Sequence, residues 1–134
     1  FEKNIQFFKK MAKKYGKNKN VMFEICNEPN GNVTWAKDIK PYARRIIKKI
    51  RKYDKKNIII AGSSTWSQDV DQTAKSPLKG KNIAYSLHFY AATHKDDLRQ
   101  KLKTAYNCRF WLRSLVSVMH RETVPSINPA EKNG

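Results

Sequence analysis

Val21-Met22-Phe23-Glu24-Ile25-Cys26-Asn27-Glu28-Pro29-Asn30-Gly31 is the stretch on which the reading of this chain turns. Its first six residues are apolar apart from Glu24 and lie between polar loops, which predicts a short buried strand at about 21–26. Pro29 has no N–H to give to a ladder, and it restricts Glu28, the residue before it, to extended geometry. A carboxyl group is therefore expected at the carboxyl end of a strand, where parallel α/β folds gather their ligands. An isolated Asn-Glu-Pro would suit a solvated turn equally well, so the neighbouring segments decide.

Those segments alternate in type. Ile5, Phe8, Met11, Ala12 and Tyr15 recur at helical spacing ahead of Gly16, predicting a helix over 2–15 with a glycine cap. A longer amphipathic helix is expected over 35–53, with Tyr42, Ile46, Ile47 and Ile50 on one side. Residues 57–61 read as a strand whose Ile58-Ile59-Ile60 centre suits burial on both faces. A short polar helix or loop follows at about 67–76, then a strand at 83–89 and a helix at 95–106. This order predicts an α/β fold with a parallel sheet and helical crossovers, either open or a slice of a closed barrel.

With 134 residues the chain suits one modest domain, short of the ~250 residues of a (β/α)8 barrel. It begins with Phe1 rather than Met and reads as a piece of a longer protein, so the lack of a signal peptide carries no weight. The formal net charge of +17 invites anionic partners. Yet pairs such as Lys9-Lys10, Lys13-Lys14, Lys48-Lys49 and Lys55-Lys56 are dispersed, mostly opposite apolar helix positions, as on a solvated outer face. No nucleic-acid motif accompanies them and no apolar run is long enough for a membrane span, so neither partner is expected. Cys26 and Cys108 make no disulfide framework or zinc spacing; Cys26 is expected to be a small buried hydrophobe. No metal or organic cofactor is expected.

The polar residues collect at the strand ends. Asn27-Glu28 follows the first strand, Ser63-Ser64-Thr65-Trp66-Ser67-Gln68-Asp69 the second, and His88-Phe89-Tyr90 closes the third. In a parallel sheet these ends converge, so Glu28, Trp66, His88 and Tyr90 are expected to line one cleft, with His88 and Tyr90 on the same strand face. An acid to protonate a leaving oxygen, an imidazole and phenol to tune it, and an indole to stack on a pyranose make a sugar site.

Six motifs, in order and spacing, resemble the endo-1,4-β-glucanases (cellulases) of glycoside hydrolase family 5. They are Val21 to Gly31, Val33-Thr34-Trp35, Ile39-Lys40-Pro41-Tyr42, Asn57-Ile58-Ile59-Ile60, Thr65 to Val70, and Leu87-His88-Phe89-Tyr90-Ala91. The resemblance covers residues 1 to about 107. It implies a partial (β/α)8 (TIM) barrel, running from the third helix to the sixth, in a secreted and monomeric parent enzyme. It also implies retaining hydrolysis of β-1,4-glucan by two glutamates. Glu28 would be the general acid/base, Asn27 would bind the sugar 2-hydroxyl, and His88 and Tyr90 would assist around the reacting sugar. Trp66 would be a substrate-cleft residue. A mannanase or xylanase relative, or a non-catalytic cationic or carbohydrate-binding fragment, are the alternatives.

Beyond residue 107 the resemblance stops. The family's nucleophile belongs on the next strand, but 108–125 reads unlike the family, and its only acid, Glu122, sits in another context. Codons permitted for 107–124, read from the third base of each, can encode Leu-Pro-Val-Leu-Ala-Ala-Glu-Phe-Gly, the kind of sequence the family carries there. The Glu codon would straddle Arg113 and Ser114. The expectation is three segments: a partial catalytic barrel at 1–107, an aberrant, poorly packed segment at 108–125 produced by compensating frame slips, and a return to family sequence at 126–134. The fragment as written is expected to lack the nucleophile and to be inactive.

Overall fold

The computed structural model describes residues 1–90 and 93–108 with their side chains and residues 115–120 as backbone. Glu122, the Arg113–Ser114 junction and the 126–134 segment lie outside the described residues.

Helix α1 (Glu2–Tyr15) leads to strand β1 (Phe23–Glu24), and a π-helical turn (Trp35–Ile39) runs directly into α2 (Lys40–Ile50). Strand β2 (Ile59–Ala61) is followed by the short α3 (Ser64–Ser67) and α4 (Val70–Lys75). Strand β3 (Ile83–Tyr90), helix α5 (Asp96–Asn107) and strand β4 (Leu115–His120) complete the order. All pairings are parallel in a four-stranded sheet of order β1-β2-β3-β4, with Phe23 opposite Ile59, Ile59 opposite Ile83, and Tyr85 opposite Leu115. Each strand lies beside its sequence neighbour, the order that successive βα units of a (β/α)8 barrel share.

Several expected boundaries shift for physical reasons. The helix expected over 35–53 is two pieces, because Pro41 has no N–H to continue an α-ladder and the chain uses a wide turn there. Lys40 N–H reaches back to Trp35 O, and Ile39 N–H to Thr34 O at 3.1 Å. Strand β1 is shorter than 21–26, but its flanks still pair with β2: Phe23 N–H donates to Ile58 O at 3.0 Å and Ile25 N–H to Ile60 O at 2.9 Å. Ile58 precedes the ladder and is 41% exposed, unlike the expected doubly buried triplet. The sequence reading placed no strand after the 95–106 helix, and the backbone of 115–120 supplies one beside β3. As written, Leu115-Val116-Ser117-Val118-Met119-His120 is β-branched and apolar enough to form it.

The core lies between the sheet and the inner faces of α1, α2 and α4. Ile5, Ala12, Ile46, Ile50, Ile59, Val70 and Ile83 are buried; of the apolar positions read for the helices at 2–15 and 35–53, Phe8, Met11, Tyr15 and Tyr42 are only partly buried. Two aromatic polar groups inside this core are paired. Trp35 Nε1 donates to Ser76 O at 2.8 Å, and the Tyr85 hydroxyl accepts from the Leu78 N–H at 2.7 Å. Burial pushes the Tyr85 phenol up to about 12, more than the Leu78 bond lowers it. The folded chain therefore holds the neutral phenol, and its contribution to stability is complete below about pH 10 and lost as pH climbs from about 10 to about 12. Tyr85→Phe leaves the Leu78 N–H buried without this acceptor. It is expected to cost about 1–3 kcal/mol by urea titration at pH 7 and to flatten the alkaline decline.

Candidate active site

Strands β1, β2 and β3 hand the chain on at the same end of the sheet, and the segments after β1 and β2 are fastened to one another. Gly62 N–H donates to Cys26 O at 2.9 Å, joining the ends of β1 and β2. A Cβ on Gly62 would lie 2.6 Å from both the Cys26 and Asn27 carbonyl oxygens and would collide with the Ser67 hydroxyl, so only glycine admits this approach. The Ser67 hydroxyl uses that space to donate to Asn27 O at 2.5 Å.

The segment carrying Trp66 is held in an unusual shape. Thr65, Trp66 and Ser67 have φ of 54°, 51° and 61°, and left-handed backbone costs roughly 1–2 kcal/mol for each non-glycine residue. Such strain persists where the surroundings over-determine it. Here Trp66 N–H donates to Pro29 O at 3.0 Å, and Asp69 Oδ2 accepts from Ser64 Oγ at 2.6 Å and Thr65 Oγ1 at 2.7 Å. Lys101 on α5 completes the brace, its Nζ 2.6 Å from Asp69 Oδ1. Burial pushes the Asp69 carboxyl up, but hydrogen bonds from Lys101, Ser64 and Thr65 and the Lys101 charge outweigh it, leaving the group below its ordinary value. The brace therefore survives into acid and is lost only as pH falls through that lowered value.

Glu28 leaves β1 toward the same space. His88 Nδ1 lies 2.7 Å from Glu28 Oε1; the imidazole is buried, and the carboxyl side chain is 29% exposed. With Glu28 ionised the ring N–H donates to it, and with Glu28 protonated the ring nitrogen accepts. The pair thus accommodates both states that a proton-transferring acid passes through.

Glu28, Trp66, His88 and Tyr90 together line one cleft of about 490 Å³. Trp66 and Tyr90 are 50% and 43% exposed, presenting ring surface to it. Asn27 is exposed and is not among the lining residues; its backbone carbonyl holds Ser67. Thr65, Gln68, Phe89 and His94 also line the cleft and were not singled out from sequence. Thr65 and Gln68 sit inside the quoted 63–69 cluster, where no pattern separates lining residues from bracing ones. Phe89 breaks the strict alternation expected of β3 at its end. His94 lies in a loop that carries no periodicity, held by the Tyr90 N–H donating to its Nδ1 at 2.8 Å. Among the described residues no group of His, Cys, Asp or Glu is placed to hold a metal ion, and no helix is long and apolar enough to cross a membrane. Burial raises the Cys26 thiol, with Glu24 adding to it, as for an inert thiol.

The chain is similar to known endoglucanases and cellulases. An endoglucanase of Clostridium saccharobutylicum is 60% identical over 99 residues, 74% of this chain and 22% of that protein. Endoglucanase Z of Dickeya dadantii is 52% identical over 103 residues, 77% of this chain and 24% of that protein. The chain therefore spans less than a quarter of the length of either relative. Among solved structures, cellulase Cel5C_n superposes with a TM-score of 0.81 at 47% identity, covering 87% of this chain and 35% of that one. The Thermobifida fusca endoglucanase Cel5A catalytic domain, in complex with cellotetraose, gives 0.78 at 34% identity over 91% of this chain and 41% of that one. The description "Cellulase (glycosyl hydrolase family 5)" matches residues 2–128, and with a parallel sheet in barrel order ending in this cleft, the chain belongs to that glycosyl hydrolase family.

Proposed function

We propose that this chain is part of a secreted endo-acting β-1,4-glucanase that cleaves cellulose-type polysaccharide with retention. It would supply the third helix through the seventh strand of the barrel, the strand 115–120 extending the span read from sequence. The observation that carries the reading is the Glu28–His88 pair, 2.7 Å apart in a cleft flanked by Trp66 and Tyr90. In this reading Glu28 protonates the departing glycosidic oxygen and then, as its carboxylate, takes a proton from the water that releases the glycosyl-enzyme. His88 holds the carboxyl in place through both states. Trp66 and Tyr90 present aromatic faces to pyranose rings, and Asn27 binds the 2-hydroxyl of the reacting sugar, which requires its exposed side chain to turn toward the cleft. The cellotetraose complex of the Thermobifida relative supports a β-1,4-glucan as the ligand class.

The second glutamate is proposed to come from the frame-slipped reading of about 108–125, with its codon across Arg113 and Ser114. The chain as written would then lack the nucleophile and turn over no substrate. One experiment tests both parts: resequencing the coding DNA across 107–126 and assaying the full-length product on β-1,4-glucan, mannan and xylan. A restored Glu-Phe-Gly frame with rates at least tenfold higher on glucan is the expected result. Confirmation of the frame as written would sink the frame slip, and equal or faster cleavage of mannan or xylan would overturn the substrate assignment.

A further inference from the structure

We propose that a basic hollow at the amino-terminal end of the sheet is a binding site for compact, multiply charged anions of the phosphate or sulfate class, separate from the sugar cleft. The hollow encloses about 310 Å³ and is lined by Arg44, Lys48, Arg51, Lys55, Lys79 and Lys81, with no acidic residue among its lining. Lys55 lies just ahead of β2 and Lys81 just ahead of β3, whereas Glu28 and Tyr90 lie at the opposite strand ends. The eight residues of β3 put roughly 25 Å between the two sites. That is well beyond the ~8 Å screening length at physiological salt. The hollow therefore contributes little to the cleft's electrostatics, and its charge calls for another explanation.

Two features distinguish it from a lysine-rich solvated face. Its floor is apolar: Leu78 is 2% exposed and Ile47 8%, and a low-dielectric wall strengthens the attraction of the surrounding cations for an anion. Its cations also have little local neutralisation, the Asp54 carboxylate acting electrostatically on Arg51 alone. Among the described residues no carboxylate lies within ion-pair distance of the six, although such pairs form elsewhere in the chain. Beside the hollow, the Lys40 ammonium is held below its ordinary value by burial first and then by the charges of Arg44 and Lys79, which are close enough to act on it.

The chemistry of the donors selects the anion class. Arg51 spends its guanidinium on backbone, donating to Asp54 O, Asn57 O, Lys81 O and Asn82 O at 3.3, 2.9, 3.0 and 3.1 Å. Its planar fork is thus not offered to a carboxylate, and it acts as a fixed charge that also shapes the hollow. What faces outward is mainly lysine ammonium, a compact point charge suited to tetrahedral oxyanions approached from several sides. The volume suits one or two such groups, alone or on a carrier.

The test uses the whole chain, with inorganic pyrophosphate and a heparin hexasaccharide as separate probes in calorimetric titrations at 50 and 150 mM salt. Saturable binding of at least one probe with one-to-one stoichiometry is expected, and the tighter probe identifies a free or a carbohydrate-borne anion as the natural source. Lys48→Gln/Lys79→Gln should weaken it at least tenfold, while Lys10→Gln/Lys13→Gln on α1 should change it less than twofold. Pyrophosphate or the hexasaccharide should also protect Lys48 and Lys79 of the unaltered protein from amine acylation more than Lys10 and Lys13, a readout independent of any variant's folding. Equal weakening by both pairs, uniform protection of all lysines, or no saturable binding would reduce the effect to net charge and overturn the proposal.

Discussion

Glu28→Gln in the full-length enzyme is expected to lower turnover of cellulose-type substrate by roughly 10³-fold, within the range of a lost general acid or base. Glutamine keeps the size and one acceptor oxygen, so His88 Nδ1–H still has an acceptor where Glu28 Oε1 stood, 2.7 Å away in the native pair. The carboxyl is partly exposed, and the change is expected to leave stability within about 0.5–1 kcal/mol. What disappears is the transferable proton. A cellobioside with a nitrophenolate leaving group needs little protonation to depart, so its first step should be far less affected than that of the polysaccharide. Azide, a nucleophile that needs no general base, should then restore turnover of that substrate as glycosyl azide. Full activity of the variant on the polymer, or an equal loss on both substrates with no azide rescue, would remove Glu28 from the acid/base role.

Gly62→Ala in the full-length enzyme is expected to cost about 3 kcal/mol or more, because the added carbon meets two backbone carbonyls as well as the Ser67 hydroxyl. Its Cβ would sit 2.6 Å from the carbonyl oxygens of Cys26 and Asn27. Relief requires β1 and β2 to separate, which stretches the Gly62-to-Cys26 hydrogen bond and displaces Ser67 from Asn27 O. Because Glu28 directly follows Asn27, activity should fall even below the melting transition. A urea titration reads the stability, and activity measured at 10 °C separates the geometric effect from unfolding. A variant as stable and active as the parent would mean that this close approach does not constrain the site.

Much of this arrangement was legible in the residues, and the limits have physical causes. Ile5, Ala12, Ile46 and Ile50 carry a 3.6-residue period that only a packed helix face explains, and all four are buried. Glu28, Trp66, His88 and Tyr90 could be placed in one cleft because a parallel sheet gathers its carboxyl ends, a rule of topology that needs no coordinates. The division of the 35–53 helix was present in Pro41, but a wide turn can keep the chain running straight through a proline, so periodicity hides it. His94 and the left-handed run at Thr65–Ser67 left no mark in the sequence. No glycine or asparagine announces the positive φ values there, since the conformation is imposed by Pro29, Asn27 and Asp69, partners distant in the chain or bound only after folding. The strand at 115–120 is obscured in the sequence because 108–125 departs from the family pattern, although its β-branched and apolar residues suit a strand.

The same fastening of Trp66 to Pro29 and of Ser67 to Asn27 ties the backbone that carries the indole to the backbone that carries the carboxyl. If the indole is the platform for a sugar ring, the offset between that ring and the bond being cut is set once, by backbone, for every substrate that enters. Shorter oligosaccharides should then be trimmed with the same phase as long chains, and warming should change the rate without changing the distribution of product lengths. A cleft whose aromatic wall hung on a free loop would blur that phase, so the product ladder itself records the stiffness of this corner.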